Sequence, residues 1–274
     1  MPERARSDNS SGPIRAASTG QLRSARKLLQ RKQRLARGQF LVEGPQAVRE
    51  ALAAGLVDTV FVTEAAAQRH PELVVDDSYL LAAEQLQTLA DTDSPQGIVA
   101  IARADEVSLD RALGEAPQLV VICAQIRDPG NAGTVIRCAD AFGADAVVLT
   151  ESSVELTNPK VVRASVGSLF HLPIVTGIDL ARAVDACRTR GMQILAADGG
   201  SADRLDLLQA SGELAAPTAW ILGNEAWGLR AEAAALADRS VGIPIWGRAE
   251  SLNLATAASV CLYQSAAAQR AAHD

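Results

Sequence analysis

Aromatic residues are scarce in this 274-residue chain: Phe, Trp and Tyr make up 3% of it, although 48% of its residues are hydrophobic. Its core must therefore be built mainly from Ala, Val, Leu and Ile. Long apolar runs are missing as well. No stretch reaches the roughly 18 residues that a membrane span needs, and the charged, Ser-rich N-terminus offers no apolar segment of the signal-peptide kind. A soluble cytoplasmic protein is expected. Cysteine is sparse: Cys123, Cys138, Cys187 and Cys261 lie in apolar, regular sequence without CxxC or Cys/His ligand spacing. They read as buried reduced thiols, and a zinc site is not expected. An internal repeat and the glycine fingerprints of P-loop and Rossmann sites are also lacking.

What is present is an uneven charge. The net value of −6 argues against a nucleic-acid partner, but through residue 37 ten Arg or Lys face only Glu3 and Asp8, which gives +8 there and −14 for the remainder. A basic arm on an acidic body suits a chain that meets phosphate at one end; a solvated tail that only aids solubility would carry the same charge. Residues 1–20, rich in Ser, Gly, Pro and Ala, read as a disordered tail. Over 21–37, Leu22, Leu28, Leu29 and Leu35 fall at roughly helical spacing among basic residues. That pattern predicts one amphipathic basic helix, with Arg23, Arg26, Lys27, Arg31, Lys32 and Arg34 as candidate RNA contacts.

A small α/β segment follows, completing a front domain over 21–105. Strands are predicted at 40–42, 59–62 and 97–102, and helices at 45–54 and 84–90. A polar connection at about 105–117 leads to a second domain, 117–274, where short apolar strands alternate with helices. Strands are predicted at 119–123, 146–149, 173–175, 193–196, 220–222 and 241–245, and the last helix at 251–268. This is the signature of a doubly wound α/β fold, with a mostly parallel sheet covered on both faces.

In such sheets ligands bind beyond the carboxyl ends of the strands, and three post-strand loops stand out. The first, Asp128-Pro129-Gly130-Asn131, turns into a helix. Asn131 is placed to cap that helix, and Arg137, among Val135, Ile136 and Ala139, calls for a carboxylate or a phosphate. The second runs from Leu222 to Leu229, with Gly223 permitting close backbone approach, Gly228 permitting a tight turn, and Glu225 between them. Glu225 suits either a site acid or helix-terminus electrostatics. The third runs from Ile243 to Leu254. Its Ser251 and Asn253 offer short polar groups, suited either to a site or to capping the last helix. The small residues from Ala255 to Ser259 imply another backbone packed close by.

Together, DPGNAGTVIR (128–137), LGNEAWGL (222–229) and IPIWGRAESLN (243–253) resemble, in order, the three signature motifs of the SpoU (TrmH-like) RNA ribose 2′-O-methyltransferases. The departures are Cys138 where Thr is common and Ile245 where Met is common. The run KVVRASVG (160–167) looks like the family's basic segment and adds Arg163 to the candidate RNA contacts. In the front domain, FLVEG (40–44) and SPQGI (94–98) resemble a small RNA-binding module similar to certain ribosomal proteins.

The resemblance implies a C-terminal α/β-knot domain, tied as a deep trefoil knot, preceded by a small α/β/α RNA-binding domain. It implies S-adenosyl-L-methionine as cofactor, held around Leu222, Gly223, Asn224, Gly228, Ile243, Ile245 and Leu252. It also implies methyl transfer to a ribose 2′-hydroxyl of RNA, with Asn131, Arg137, Glu225, Ser251 and Asn253 as catalytic residues. A guanidinium is a poor general base, because it holds its proton in proteins, so Arg137 is expected to bind the neighbouring phosphate and orient the nucleotide. A homodimer joined through the knot domain is implied too. Large-subunit (23S) ribosomal RNA is the favoured target; a tRNA target and a non-catalytic RNA-binding ribosome-assembly factor are the alternatives. A dinucleotide-dependent oxidoreductase using Gly199-Gly200 is disfavoured, because that pair lacks the GxGxxG spacing and comes late in the fold.

Overall fold

The structure is a computed structural model that describes residues 14–272. The chain divides into two compact units, one ending at Arg103 and the other beginning at Ala104. The first contains β1 (Arg15–Ala16), α1 (Thr19–Arg26), α2 (Arg31–Arg37), β2 (Gln39–Glu43), α3 (Pro45–Ala53), β3 (Val57–Val62), α4 (Glu64–Arg69), β4 (Ser78–Leu80), α5 (Ala83–Gln87) and β5 (Ile98–Arg103). Its sheet has the order β1-β4-β3-β5-β2, parallel from β1 to β3 and antiparallel at β5. Leu28, Leu41, Phe61, Leu86 and Val99 meet in its core.

Two expectations change in this unit. Disorder was expected through residue 20, yet β1 pairs with β4, and Ser18 exchanges capping hydrogen bonds with Gln21 at the start of α1. The rest of that expectation, residues 1–13, lies outside the described residues. The single basic helix is in fact two, separated by a three-residue 3-10 turn (Lys27–Leu29) and an extended Gln30 with ψ 126°. Arg34 accounts for the break. It is only 5% exposed, and its guanidinium donates to the carbonyls of Leu28 (3.0 Å) and Leu29 (2.9 Å). These are helix-end carbonyls that the bend would otherwise leave unpaired.

The second unit contains α6 (Leu109–Leu113), β6 (Leu119–Cys123), α7 (Pro129–Ala141), β7 (Ala146–Thr150), α8 (Pro159–Ser165), β8 (Ile174–Ile178), α9 (Leu180–Thr189), β9 (Gln193–Ala197), α10 (Leu205–Ala210), β10 (Thr218–Leu222), α11 (Ala231–Ala234), β11 (Arg239–Val241) and α12 (Leu254–Ala271). Its six strands are parallel throughout, in the order β11-β9-β10-β6-β7-β8. Every residue of β6 is buried, and successive side chains point to opposite faces. Leu119, Val121 and Cys123 join one core with α7 and α12, while Val120 and Ile122 join the other with α6 and α9. The supposed polar connection at 105–117 thus holds a helix that buries Leu109, Ala112 and Leu113 in the second unit. Among the described residues no helix is long and apolar enough to cross a membrane.

The strand expected at 241–245 runs instead over Arg239–Val241. Pro244 has no N–H for a ladder, and Gly242 already donates to the Asp203 carbonyl at 2.8 Å. Cys123, Cys187 and Cys261 are buried, whereas Cys138 is half-buried. Burial pushes the Cys261 thiol up to about 12 and Cys187 to about 11. Burial, with a smaller contribution from the Glu225 charge, brings Cys123 to about 12.

Helix α12 is stitched to the sheet by polar groups. The Trp220 indole N–H on β10 donates to Ser265 Oγ at 2.9 Å, and Gln269 Nε2 donates to the carbonyls of Gln118 (2.8 Å) and Ala216 (3.1 Å). Both Trp220 and Ser265 are fully buried. Ser265→Ala strips a core indole of its acceptor and should cost about 1–3 kcal/mol, read as a lower urea midpoint at unchanged slope.

Candidate active site

The chain leaves β6 and β10 at the carboxyl edge of the sheet and turns toward opposite flanks, since later strands lie on both sides of this pair. Such a divergence opens a crevice for ligands. The loop after β6 ends at Asp128, whose side chain accepts from the Asn131 N–H at 2.8 Å and caps α7. Asn131 therefore does not cap the helix, as its position near the helix start had suggested. Its side chain is free to face the other two loops.

It bonds to both. Asn253 Nδ2 donates to Asn131 Oδ1 at 3.0 Å, and Asn131 Nδ2 donates to Glu225 Oε1 at 3.4 Å. Glu225 also accepts the backbone N–H of Arg127 at 3.2 Å and of Asp128 at 3.0 Å. At the far end, Asn253 Oδ1 accepts from the N–H groups of Ala255 (2.9 Å) and Thr256 (3.3 Å) and so caps α12. The two readings of Asn253, cap and site residue, both hold because its amide has two ends. Glu225 likewise serves as a clamp on backbone donors at the start of α7.

The β10 loop is built for close approach. Asn224 and Gly228 exchange backbone hydrogen bonds at 2.9 Å each way. A Cβ on Gly223 would lie 2.4 Å from the Gly228 carbonyl carbon and 2.6 Å from the Leu229 nitrogen, so only glycine fits there. Asn224 is buried, and its amide is spent inside the protein: Nδ2 donates to the Gln125 carbonyl at 2.7 Å, and Oδ1 accepts from Ala226 at 2.9 Å. A cleft of about 500 Å³ lies beside this turn. Leu222, Gly223, Asn224, Gly228, Ile243, Ile245 and Leu252 all line it, as do Glu225, Ser251 and Asn253.

One wall was not expected from the sequence: Ala197, which ends β9, with Asp198 and Gly199 just beyond it. The one signal for it in the sequence is Gly199-Gly200, a pair that by itself suggests only a dinucleotide site. The cleft falls within the usual range for small-ligand sites, about 300–1,000 Å³. Its apolar walls (Leu222, Val241, Ile243, Ile245, Leu252 and Leu254) and few polar groups suit an adenosyl-methionine group.

Arg137 stands six residues, or about 9 Å of helix rise, beyond Asn131. It is exposed, and among the described residues it has no hydrogen-bond or ion-pair partner. The ion pair that an apolar helix neighbourhood could have supplied is therefore absent there. Of the other candidate RNA contacts, Arg23, Arg26, Lys27, Arg31 and Lys32 are exposed and Arg163 is half-buried on α8. Arg34 is the exception: its guanidinium is committed to Leu28 and Leu29 inside its own unit, so it is removed from the RNA-facing set.

Comparisons with known proteins agree with this geometry. Residues 118–263 match the SpoU rRNA Methylase family and residues 20–100 match the MRM3-like substrate binding domain. The 23S rRNA (guanosine(2553)-2′-O)-methyltransferase RlmP of Bacillus subtilis is 32% identical over 252 residues, covering 91% of this chain and 97% of that protein. The 23S rRNA (uridine(2479)-2′-O)-methyltransferase of Streptomyces viridochromogenes is 31% identical over 248 residues, covering 86% and 85%. Among solved structures, the SpoU methyltransferase AviRb from Streptomyces viridochromogenes, in complex with AdoMet, aligns with a TM-score of 0.79 at 28% identity, covering 93% of this chain and 99% of that one. The family match spans all three of the loops that meet at the carboxyl edge, and the chain belongs to the SpoU rRNA methylase family.

Proposed function

We propose that this protein transfers the methyl group of S-adenosyl-L-methionine to a ribose 2′-hydroxyl in large-subunit (23S) ribosomal RNA, acting in the cytoplasm. The observation that carries the reading is the chain of hydrogen bonds from Asn253 through Asn131 to Glu225, lying against a cleft of suitable size. The 23S rRNA names of the two curated relatives and the substrate-binding match at 20–100 support the choice of RNA.

The bound cofactor supplies an electrophilic methyl on a sulfonium; the remaining requirements fall on the chain. Leu222, Ile243, Ile245 and Leu252 give apolar walls, and Gly223 and Gly228 bring backbone polar groups within reach of a ligand. Asn131, held by Glu225 and Asn253, fixes the first turn of α7. The unpartnered Arg137 binds the phosphate beside the target ribose and orients its hydroxyl toward the cleft. A guanidinium fork matches phosphate oxygens in two bonds. The hydroxyl proton passes to solvent as oxygen attacks, and the fixed positive charge of Arg137 stabilises the negative charge developing on that oxygen.

Two architectural features belong to the same reading. The C-terminal segment is threaded as a trefoil knot. What supports this is that Ser240 and Gly242 run against the 198–205 loop: Ser201 Oγ donates to the Ser240 carbonyl at 2.6 Å, and Leu205 N–H to the Gly242 carbonyl at 2.9 Å. The protein is a homodimer through this domain. The support is a C-terminal stretch that leaves Trp246 and Tyr263 exposed away from the cleft lining.

Labelled methyl from S-adenosylmethionine, offered to total ribosomal RNA and separately to tRNA, is expected in a 2′-O-methyl nucleoside of ribosomal RNA only. Label confined to tRNA would overturn the substrate, and no label in either would overturn the reaction. Arg137→Ala should lower turnover about 100-fold or more, the scale of a misplaced reactant, with cofactor affinity nearly unchanged. Equal loss of both would sink the phosphate-orienting role. Light scattering should give twice the mass of one chain, and a stable monomer would count against the dimer.

A further inference from the structure

The turn after β10 has a second side. Gly228 lines the 500 Å³ cleft and also a separate cleft of about 300 Å³, formed by the carboxyl ends of β6 to β8 and by α11. The turn is thus a partition between two cavities. At its tip stands Trp227, 41% exposed in a protein with only three tryptophans. Two guanidinium groups lie over its ring: Arg127 at 5.0 Å from the centroid, from the β6 loop, and Arg230 at 5.3 Å, from the far end of the turn. Both arginines are exposed. The backbone of Arg127 is held by the same Glu225 that bonds Asn131.

An exposed indole with two arginines over its ring has a specific chemical meaning. Aromatic rings and guanidinium planes are the surfaces on which unstacked RNA bases lie, and the same guanidinium groups bind the phosphates that link them. The wall of the second cleft adds discrimination. Glu151, Asp179 and Glu232 line it together with Gln125, Thr150 and Trp227. Carboxylates repel a phosphate but accept hydrogen bonds from the amino edge of a base. The cleft is therefore suited to a base, and the arginines at Trp227, of which Arg230 lines the cleft, to the backbone.

Resting on the proposed function, we infer that Trp227, Arg127 and Arg230 form a docking platform for one unstacked nucleotide neighbouring the one that is methylated. Its base takes the place of a guanidinium over the Trp227 ring and turns its edge into the second cleft, while the displaced arginine and its neighbour meet the phosphates. The position follows from the partition: the cofactor cleft lies on one side of the turn and the platform on the other. A strand crossing the turn brings one ribose to the first cleft and an adjacent base to the second.

The test uses the full chain carrying Trp246→Phe, so that Trp227 is the one exposed tryptophan beside the buried Trp220. A short oligocytidylate is expected to quench its fluorescence, whereas an abasic ribose-phosphate oligomer of equal charge is not. In the native background Trp227→Ala should raise KM for ribosomal RNA about tenfold, the scale of one lost stacked base, with cofactor affinity unchanged and Trp227→Phe near wild type. Equal quenching by both oligomers would overturn the platform, and so would a wild-type KM in Trp227→Ala. If the unsubstituted protein methylates no RNA, the proposed function fails by itself, and the quenching still decides the platform.

Discussion

The candidate site depends on one carboxylate. Glu225 accepts two backbone N–H groups from the β6 loop and one side-chain N–H from Asn131, and so ties the turn after β10 to the start of α7. Asn131 passes the tie to Asn253, which caps α12. Three loops are thereby held in one arrangement, the first of them 94 residues from Glu225 and 122 from Asn253 along the chain. Each such bond contributes about 0.5–3 kcal/mol, with bonds to a charged acceptor at the upper end. Their value lies more in direction than in strength. A carboxylate takes donors at defined angles, and an amide flipped end for end would set Asn253 Nδ2 against the α12 donors.

Close backbone approach is the second constraint. Gly223 sits under Gly228 and Leu229, where any side chain would collide with backbone. At Gly133, a Cβ would come within 2.5 Å of Ala164 Cβ and 2.6 Å of the Val161 carbonyl, so α7 and α8 also meet nearly backbone to backbone. These contacts give the first and second loops their places with little help from large side chains. That agrees with a chain so poor in aromatics, whose deepest core side chains are mainly aliphatic. The exposed Trp227 stands out against this background, because it occupies the surface of a tight turn where packing does not require it.

Much of this architecture could be read from the sequence, and the failures have physical causes. The run at 119–123 emerges as a strand with the same bounds, because a short β-branched run between polar segments has few other uses. The break at Gln30 was invisible, since no Gly or Pro marks it; it depends on Arg34 folding back onto carbonyls five and six residues earlier. Helix α6 was overlooked because five residues are too few for periodicity to speak. By pattern alone Ile243 and Ile245 read as strand; only the family resemblance set them at the cofactor, and they line the cleft. An apolar residue beside a ligand cannot be told by composition from one in a core. The three loops were legible for a different reason: a doubly wound sheet binds ligands at its carboxyl edge, and their motifs resemble those of one family, from which the expected roles of single side chains come. The link from Asn131 to Glu225 spans 94 residues, and no local pattern reveals it.

The same geometry explains how a single turn can serve two ligands. Between Asn224 and Gly228 the backbone closes on itself, and Asn224 fastens the turn to the Gln125 carbonyl at 2.7 Å. Such a turn cannot widen toward one cleft without losing bonds on the side of the other. Its two faces are therefore fixed relative to each other by covalent geometry and short hydrogen bonds, and not by contacts with whatever fills them. Glu225 extends that fixity to Arg127 on one side and to Asn131 on the other. A rigid divider with an apolar cleft behind it and cationic groups before it suits a reaction in which a small cofactor and a large polyanion must meet at one bond. The cost of holding them in register is then met when the chain folds, before either ligand arrives.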